Sequence, residues 1–303
     1  MSNSSSPVFI LASPRSFTSL VCAMLGQHPQ TYGVPEINLL LTDTLEQLVE
    51  MSSGKRMFLL HGLLRTVAQL YAGEQTMASI QMAHRWIKQR LEKPSWEVYQ
   101  ELSQTLAPLR IIDKSPAYSK KMLVLNRIQK AFPEAHYLYL VRHPHDQGKS
   151  MMKAPQAIAT LVASDSLDYA TTPPTIDPQF AWFRRQAKII EFLEQLPANK
   201  VMYLRGEDLC NDPYHHLQQL CEWLQLDWSE TVYQQMLLTE NSPYACMGPY
   251  GALWGNNPGF QQSPAFRQRA VKPTALTAPL PWRKDNQGLK PEVFELAQAL
   301  GYR

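Results

Sequence analysis

The sequence lacks the features that mark zinc-binding, secreted and membrane-spanning proteins. Its 303 residues include four cysteines, none of them in a C-x-x-C pair, so neither a zinc site nor a redox pair is indicated. The polar first residues lack the apolar core of a secretory signal. No apolar run reaches the roughly 18 residues that a membrane helix needs. We therefore expect a protein of the reducing cytoplasm that makes no membrane contact.

An excess of charge of one sign is also absent. Lysine and arginine number 29 against 26 aspartates and glutamates, a formal net charge of +3. This balance suits a small anionic ligand, but without a basic run it gives no reason to expect nucleic acid. Hydrophobic residues make up 45% of the chain and charged residues 18%, which is typical of a globular protein with an ample core. The oligomeric state stays open.

Short apolar runs alternate with longer segments of helical spacing along the chain. The apolar runs predict buried strands at 8–12, 110–113, 135–141 and 200–204. Helical spacing predicts helices from about 16 and 146 and over 37–70, 77–91, 96–106, 118–132, 179–196, 214–226 and 291–300, with loops at 27–36 and 160–178. The alternation predicts an α/β fold, a parallel sheet flanked by helices in one domain over 1–303, with a helical insert at 37–106.

The most informative stretch follows the first predicted strand. Residues 13–19, S-P-R-S-F-T-S, predict a tight loop and the start of a helix, a layout that directs backbone N–H groups at an anion. The guanidinium of Arg15 and the hydroxyls of Ser16, Thr18 and Ser19 suit phosphate or sulfate oxygens. Neither the triphosphate motif G-x-x-x-x-G-K-[ST] nor the dinucleotide motif G-x-G-x-x-G is present there. The residues predict a P-loop-like, phosphate-binding loop of another kind.

Two more polar clusters begin where a predicted strand ends. Lys114 follows one strand, and Arg142 ends the next, with Ser150 in the helix after it. Ligands of parallel α/β folds collect beyond the carboxyl ends of the strands. We therefore expect these clusters to share one site with residues 13–19. A guanidinium and a hydroxyl in this relation can bind a second phosphate.

Together these segments resemble the sulfotransferases that use 3′-phosphoadenosine 5′-phosphosulfate (PAPS). Residues 13–19 are similar to the family's P-[RK]-S-G-[ST]-[ST] loop, which grips the 5′-phosphosulfate, except that Phe17 stands where glycine is usual. Residues 141–150 are similar to the R-[ND]-P-x-D-x-x-x-S pattern of the 3′-phosphate site, with His143 for the usual Asn or Asp. If the position of Phe17 needs a positive φ, the phenylalanine must be held there by packing.

A glutamate after the loop is the candidate for the catalytic base. Residues 34–40 are similar to the P-E-x-x-L-L stretch of bacterial sulfotransferases, including those associated with polyketide assembly. The resemblance implies that Glu36 accepts the proton of the acceptor hydroxyl. The cytosolic small-molecule members use a histidine instead, so His61, His84 and His143 stay open as alternatives.

The resemblance also implies the cations and the co-substrate-binding residues. Residues 113–116 are similar to the K-[DST]-P segment of tyrosylprotein sulfotransferases, so Lys114 joins Arg15 as a catalytic cation at the transferred group. Because Arg15, Lys114 and Arg142 supply positive charge, no metal is expected. The implied PAPS-binding residues are Arg15, Ser16, Phe17, Thr18, Ser19, Arg142, Ser150, Tyr203 and Arg283.

The C-terminal part predicts a cover for the site. Residues 249–260 are rich in glycine, proline and aromatics, and long loops of this kind are often lids, so we expect a lid and C-terminal segment at 243–290. The implied function is transfer of a sulfuryl group from PAPS to a hydroxyl of a small or carrier-linked metabolite, in bacterial secondary metabolism. Two alternatives stay open: a P-loop-like nucleotide kinase and a non-catalytic nucleotide-binding protein of the same fold.

Overall fold

Five parallel strands form the centre of the protein in the computed structural model, which describes residues 6–268, 270–272 and 274–303. The strands of the described residues are β1 (Val8–Leu11), β2 (Thr31–Val34), β3 (Arg110–Asp113), β4 (His136–Val141), β5 (Leu167–Asp168), β6 (Thr175–Ile176) and β7 (Val201–Arg205). The main sheet has the order β2-β3-β1-β4-β7, and β5 and β6 pair as a separate antiparallel hairpin. The parallel α/β fold predicted from the sequence is confirmed.

Helices fill most of the connections between the strands. The α-helices are α1 (Thr18–Gly26), α2 (Leu45–Met51), α3 (Phe58–Ala72), α4 (Met77–Lys88), α5 (Ser95–Leu106), α6 (Met122–Ala131), α7 (Pro144–Met152), α8 (Pro155–Ala163), α9 (Pro178–Leu193), α10 (Gly206–Asn211), α11 (Pro213–Leu224), α12 (Glu230–Leu237), α13 (Pro258–Gln262) and α14 (Pro291–Ala299). Short 3-10 turns lie at Leu39–Leu41, Gly54–Arg56, Tyr118–Lys120, Ala198–Lys200 and Thr239–Asn241. Proline begins α7, α8, α9, α11, α13 and α14, where its missing N–H costs no helical hydrogen bond.

Side chains of the central strands alternate between two hydrophobic cores, one on each face of the sheet. On β1, Phe9 and Leu11 lie in one core, whereas Val8 and Ile10 lie in the other. Helices α3 to α6, α9 and α14 cover the first face, and α1, α11 and α12 cover the second. Because both faces are buried, β1, the middle of β3 and β4 after His136 consist of apolar residues, which is why the sequence predicts these strands.

Two segments predicted as loops contain strands, and both predictions are wrong. Residues 27–36 include β2, which pairs with β3 from Thr31 opposite Arg110 onward. Its sequence T-Y-G-V is short, polar at one end and interrupted by Gly33, so it has no apolar run to detect. Residues 160–178 include the end of α8 and the β5–β6 hairpin, whose strands are only two residues long.

The insert predicted at 37–106 is helical, since it contains α2 to α5 and lies between β2 and β3. Helix α7 begins at Pro144, two residues before the predicted start near 146. That the whole chain is one domain stays a prediction. Within the described ranges, no helix combines the length and the apolar character needed to cross a membrane.

Leu138 tests how strongly the sheet depends on its packed faces. The side chain lies on β4 and is fully buried in the core beneath α1 and α11. We expect Leu138→Ala to lower the free energy of unfolding by about 2–5 kcal/mol, because it removes apolar contacts and leaves a cavity. Leu123→Ala on α6 is the matched control, because Leu123 is 67% exposed and should change stability by less than about 0.5 kcal/mol. Urea unfolding measures both, and equal losses would contradict the assignment of the core.

Candidate active site

Every strand of the main sheet ends at a residue of the candidate site. Residues 12–17 follow β1, Glu36 follows β2, Lys114 follows β3, Arg142 follows β4 and Gly206 follows β7. Because the strands are parallel, these ends share one edge of the sheet. The predicted grouping of the three polar clusters follows from this topology.

The turn between β1 and α1 has a strained backbone. Arg15 and Phe17 have φ angles of +67° and +61°, the left-handed region that glycine favours. Packing holds Phe17 there, since its ring lies against Gly206, where an added β carbon would lie 2.9 Å from the Phe17 Cγ and closer still to the ring edge. A strained residue of this kind persists only where its surroundings fix it.

Side chains from α7 and α9 hold the same turn in place. The Gln147 Nε2 donates to the Pro14 carbonyl oxygen at 2.8 Å, and the Gln186 Nε2 donates to the Ser13 Oγ at 3.2 Å. Gln186 is itself fixed, because its Oε1 accepts from the Tyr139 hydroxyl at 3.0 Å. The loop is therefore fastened to the rigid part of the fold before any ligand binds.

Three of the predicted phosphate-binding residues meet beside this turn. The Arg15 Nε donates to the Ser150 Oγ at 3.0 Å, and the Arg142 Nη1 donates to the Arg15 carbonyl oxygen at 2.8 Å. The backbone of Arg142 is fixed in turn, since its carbonyl oxygen accepts from the Trp182 Nε1 at 2.9 Å. Arg15, Arg142 and Ser150 thus form one cluster, as the sequence predicts.

The two arginines crowd positive charge into this cluster. Burial lowers the pKa of both guanidinium groups, and the charge of Arg142 lowers the pKa of Arg15 further. Two buried polar atoms here, the Ser16 Oγ and the Arg142 Nε, have no hydrogen-bond partner among the described residues. A buried donor without a partner is costly. An anion with several oxygens would satisfy these groups and offset the charge.

Glu36, Lys114 and Ser19 form a second cluster next to the first. The Lys114 side chain is 1% exposed, and its Nζ donates to the Glu36 Oε1 at 3.0 Å and to the Ser19 Oγ at 3.2 Å. The Glu36 side chain is 33% exposed, so its carboxylate contacts Lys114 on one side and is open to solvent on the other. The predicted base and the predicted second cation are therefore in direct contact, and Lys114 links them to α1 through Ser19.

Glycine-rich backbone packs closely around Glu36. Its N–H donates to the Gly255 carbonyl oxygen at 2.7 Å, and a β carbon at Gly62 would collide with the Glu36 carbonyl. Gly255, at φ +102°, packs in turn against Gly62. The Asn257 N–H also donates to the Ser19 Oγ at 3.4 Å. Residues 255–257, part of the predicted lid segment, thus cover the second cluster, although lid motion stays a prediction.

A buried network that the sequence patterns did not predict lies behind Lys114. The Asp113 carboxylate accepts from the Ser115 N–H at 3.0 Å, from the Ser115 Oγ at 2.7 Å and from the Tyr118 hydroxyl at 3.1 Å. The Ser115 Oγ also accepts from the Asn38 N–H at 3.2 Å, which ties the turn after β3 to the turn that carries Glu36. The signal in the sequence that could have indicated this network is Asp113, a carboxylate at the end of an apolar strand.

Two predicted co-substrate residues lie in other surroundings. The Tyr203 hydroxyl donates to the Leu300 carbonyl oxygen at 2.6 Å. The Arg283 guanidinium is held by three carboxylates, at 2.6 Å from Asp168, 2.8 Å from Asp177 and 2.6 Å from Asp285. Among the described residues no hydrogen bond or ion pair joins Tyr203 or Arg283 to the loop. Their roles in co-substrate binding stay predictions without support from the geometry.

The histidine alternatives to Glu36 are poorly placed for a base. The Nδ1 of His61 accepts from the Trp254 N–H at 3.2 Å, so its neutral ring carries the proton on Nε2 and has no free lone pair. His143 is fully buried against the Tyr302 ring at 4.9 Å, and burial lowers its pKa to about 4. His84 lies on α4, outside the turns that form the site. The geometry therefore favours Glu36.

The fold and the two clusters define an α/β protein whose candidate site lies at the carboxyl edge of its sheet. Within the described ranges, no group of three or more His, Cys, Asp or Glu is arranged to hold a metal ion. Residues 7–230 match the family model described as "Sulfotransferase family", and the chain belongs to that family. It is a transferase that moves a sulfuryl group.

Solved structures resemble the chain over nearly its full length. The sulfotransferase domain from the curacin biosynthetic pathway is 25% identical, with 98% of each chain covered and a TM-score of 0.76. The sulfotransferase domain from the Synechococcus PCC 7002 olefin synthase is 23% identical, with 98% of this chain and 94% of that chain covered and a TM-score of 0.72. The second likeness is evidence for the fold alone. No curated protein sequence matches the chain.

Burial of Asp113 should make the stability of the protein depend on pH. Burial raises its pKa from the ordinary 3.8 to about 7, so between these values the folded state binds more protons than the unfolded state. Stability should therefore fall as pH rises through this window, by up to about 1.4 kcal/mol for each pH unit.

The comparison that tests this effect is between the wild type and Asp113→Asn, since the amide keeps the shape without the charge. We expect the stability of the wild type relative to the variant to decline from about pH 4 to about pH 7 and to level off above, in urea unfolding at several pH values. Parallel pH profiles of the two proteins would show that Asp113 is ionised throughout.

Proposed function

We propose that the protein transfers the sulfuryl group of PAPS to a hydroxyl of a small or carrier-linked metabolite. The observation that carries this proposal is the arrangement of two clusters along one loop and helix. Arg15, Arg142 and Ser150 form an anion-binding cluster, and Glu36 and Lys114 form a proton-accepting cluster beside it. A bisubstrate transfer needs both functions at adjoining positions.

The loop suits the 5′-phosphosulfate of PAPS. The unpartnered Ser16 Oγ, the side chain of Arg15 and the start of α1 at Thr18 offer hydrogen-bond donors and positive charge to an anion. Ser19 lies on the first turn of α1 and contacts Lys114, so the loop leads directly from the phosphate oxygens to the lysine. We assign the 5′-phosphosulfate to this end of the site.

The 3′-phosphate is assigned to Arg142 and Ser150. The Arg142 Nε is buried and unpartnered, and a guanidinium edge matches the spacing of two phosphate oxygens. Ser150 contributes a hydroxyl that Arg15 already contacts. This phosphate distinguishes PAPS from the more abundant adenine nucleotides, so its site determines which co-substrate is accepted.

The reaction follows from the second cluster. The Glu36 carboxylate removes the proton of the acceptor hydroxyl as the acceptor oxygen bonds to sulfur. The bond between sulfur and the bridging oxygen of the 5′-phosphate breaks, which releases 3′-phosphoadenosine 5′-phosphate (PAP) and a sulfate ester. Lys114 and Arg15 stabilise the negative charge that develops on the oxygens of the transferred and leaving groups. These side chains supply the positive charge, so we expect no metal requirement.

The setting of the reaction is inferred from the relatives. The curacin pathway and the Synechococcus olefin synthase, named for the two similar domains, support a bacterial enzyme of specialised metabolism with a carrier-linked or small acceptor. A cytoplasmic location stays a prediction. The nucleotide-kinase alternative has no observation in its favour, because the loop lacks the glycines and the lysine of a triphosphate-binding motif.

Binding of PAP tests the co-substrate assignment. We expect PAP at a hundredfold excess over its Kd to stabilise the wild type by about 2.7 kcal/mol and to raise its Tm, because it binds only the folded state. Arg142→Ala should lose most of this shift, whereas Arg85→Ala, a change at an exposed arginine of α4, should keep it. ATP with Mg²⁺ is the competing ligand, and a Tm rise with ATP and Mg²⁺ alone would favour a kinase.

Glu36→Gln tests the catalytic base. The amide keeps the size of the side chain and an oxygen for Lys114 but accepts no proton at neutral pH. We expect kcat for sulfuryl transfer to fall by about 10²–10⁴ while PAP binding is unchanged. Glu50→Gln, at the exposed end of α2, is the control and should keep full activity. Release of PAP in a screen of hydroxyl acceptors measures the rate, and a Glu36→Gln enzyme at wild-type rate would exclude this base.

A further inference from the structure

Phe17 lies between a glycine and a guanidinium. One part of its ring packs against Gly206, at the start of α10, and the Arg142 guanidinium carbon lies 4.7 Å from the ring centroid. To hold this position, Phe17 adopts an unfavourable left-handed backbone conformation with φ +61°. A glycine there would relieve the strain but would leave the guanidinium without a surface beneath it.

We propose that Phe17 is a positioning residue that orients Arg142 toward the 3′-phosphate, and that Gly206 is its matched partner, which leaves room for the ring. The inference rests on the proposed function, because it concerns the same PAPS site. It adds a residue that sets the preference for nucleotides with a 3′-phosphate without itself contacting that phosphate.

The contacts of Arg142 account for this role. Its Nη1 is occupied by the Arg15 carbonyl oxygen, and one face is covered by the Phe17 ring. A ring attracts the cation through its face but accepts no strong hydrogen bond, so it fixes the plane of the guanidinium without using its donors. The Nε therefore remains buried and unpartnered, on the edge that suits two phosphate oxygens.

The nearby carboxylate of Glu207 does not compete for these donors. Its Oε1 accepts from the His143 N–H at 2.9 Å, and its Oε2 accepts from the Tyr302 hydroxyl at 3.0 Å. Both oxygens are thus engaged with other groups, although the charge still acts on Arg142 at longer range. The aromatic face takes the place that an acidic partner would otherwise fill, and the cation stays available for a ligand.

Gly206 and Phe17 depend on each other sterically. A β carbon at 206 would lie 2.9 Å from the Phe17 Cγ and closer still to its Cδ2, approaches that real β carbons essentially never make. An alanine at 206 must therefore push the ring out of place, and the ring carries the guanidinium with it. Removal of the ring takes away the three nearest atoms that this alanine would meet. Variants at the two positions can therefore separate an effect on packing from an effect on nucleotide recognition.

The experiment compares binding of PAP with binding of adenosine 5′-monophosphate (AMP), which lacks the 3′-phosphate, by titration calorimetry. The wild type should prefer PAP. Phe17→Leu, which keeps apolar bulk but has no aromatic face, should lose PAP affinity about tenfold with AMP affinity unchanged. Phe17→Tyr, which keeps the ring, should retain the preference. A purely structural role would weaken both ligands equally, so an unchanged PAP-to-AMP ratio in Phe17→Leu overturns the inference.

Variants at the partner position, Gly206, form the second part of the experiment. Gly206→Ala should lower both the Tm and the preference for PAP, because the displaced ring disturbs packing and Arg142 together. Phe17→Gly combined with Gly206→Ala should recover the Tm but not the preference. Recovery of both the Tm and the preference for PAP would assign the effect to packing alone and would contradict the proposal.

The wild type distinguishes failure of this inference from failure of the proposed function. If the wild type itself shows no preference for PAP, both fail. If only the Phe17 variants behave otherwise than expected, the proposed function stays intact.

Discussion

The buried ammonium of Lys114 is the interaction on which the arrangement of the site depends. A charged group inside a protein must be paired and hydrogen-bonded, or it loses its charge. Lys114 meets this demand with the carboxylate of Glu36 and the hydroxyl of Ser19, which come from the ends of two other elements. The ion pair therefore fastens the turn after β2, the turn after β3 and the first turn of α1 to one another. The three segments meet because the parallel strands end at a common edge of the sheet.

The two halves of the site differ in how their charge is balanced. In the half around Lys114 the ammonium contacts the Glu36 carboxylate. The ion pair carries no net charge, which suits a site that moves a proton. In the half around Arg15 and Arg142 two guanidinium groups lie side by side, and burial lowers the pKa of each. Their oxygen partners are the Ser150 hydroxyl and a backbone carbonyl, which carry no full charge. The imbalance supports the proposal that a polyanion binds there and that the Glu36 carboxylate serves the acceptor.

Local patterns in the sequence predict the features that depend on short stretches of the chain, such as the buried strands. Buried parallel strands are apolar runs, so their ends, and with them Lys114 and Arg142, could be located. The edge strand β2 could not, since a four-residue strand that contains Gly33 has no such run. The resemblance places Arg283 at the co-substrate, because the family has a late basic segment there. The carboxylates of Asp168 and Asp177 that neutralise it lie far away in the sequence, and only the fold brings them into contact.

The loop after β1 shows why a departure from a family pattern must be interpreted together with its surroundings. Judged by its own conformation, Phe17 is unfavourable, because a bulky residue occupies a backbone region that glycine prefers. The fold compensates with a glycine at the other side of the contact, Gly206, and places a guanidinium on the ring. Local rules are broken most often where function requires a particular geometry. The strain at Phe17 is therefore evidence about Arg142, and it argues against a loop that has merely lost its glycine.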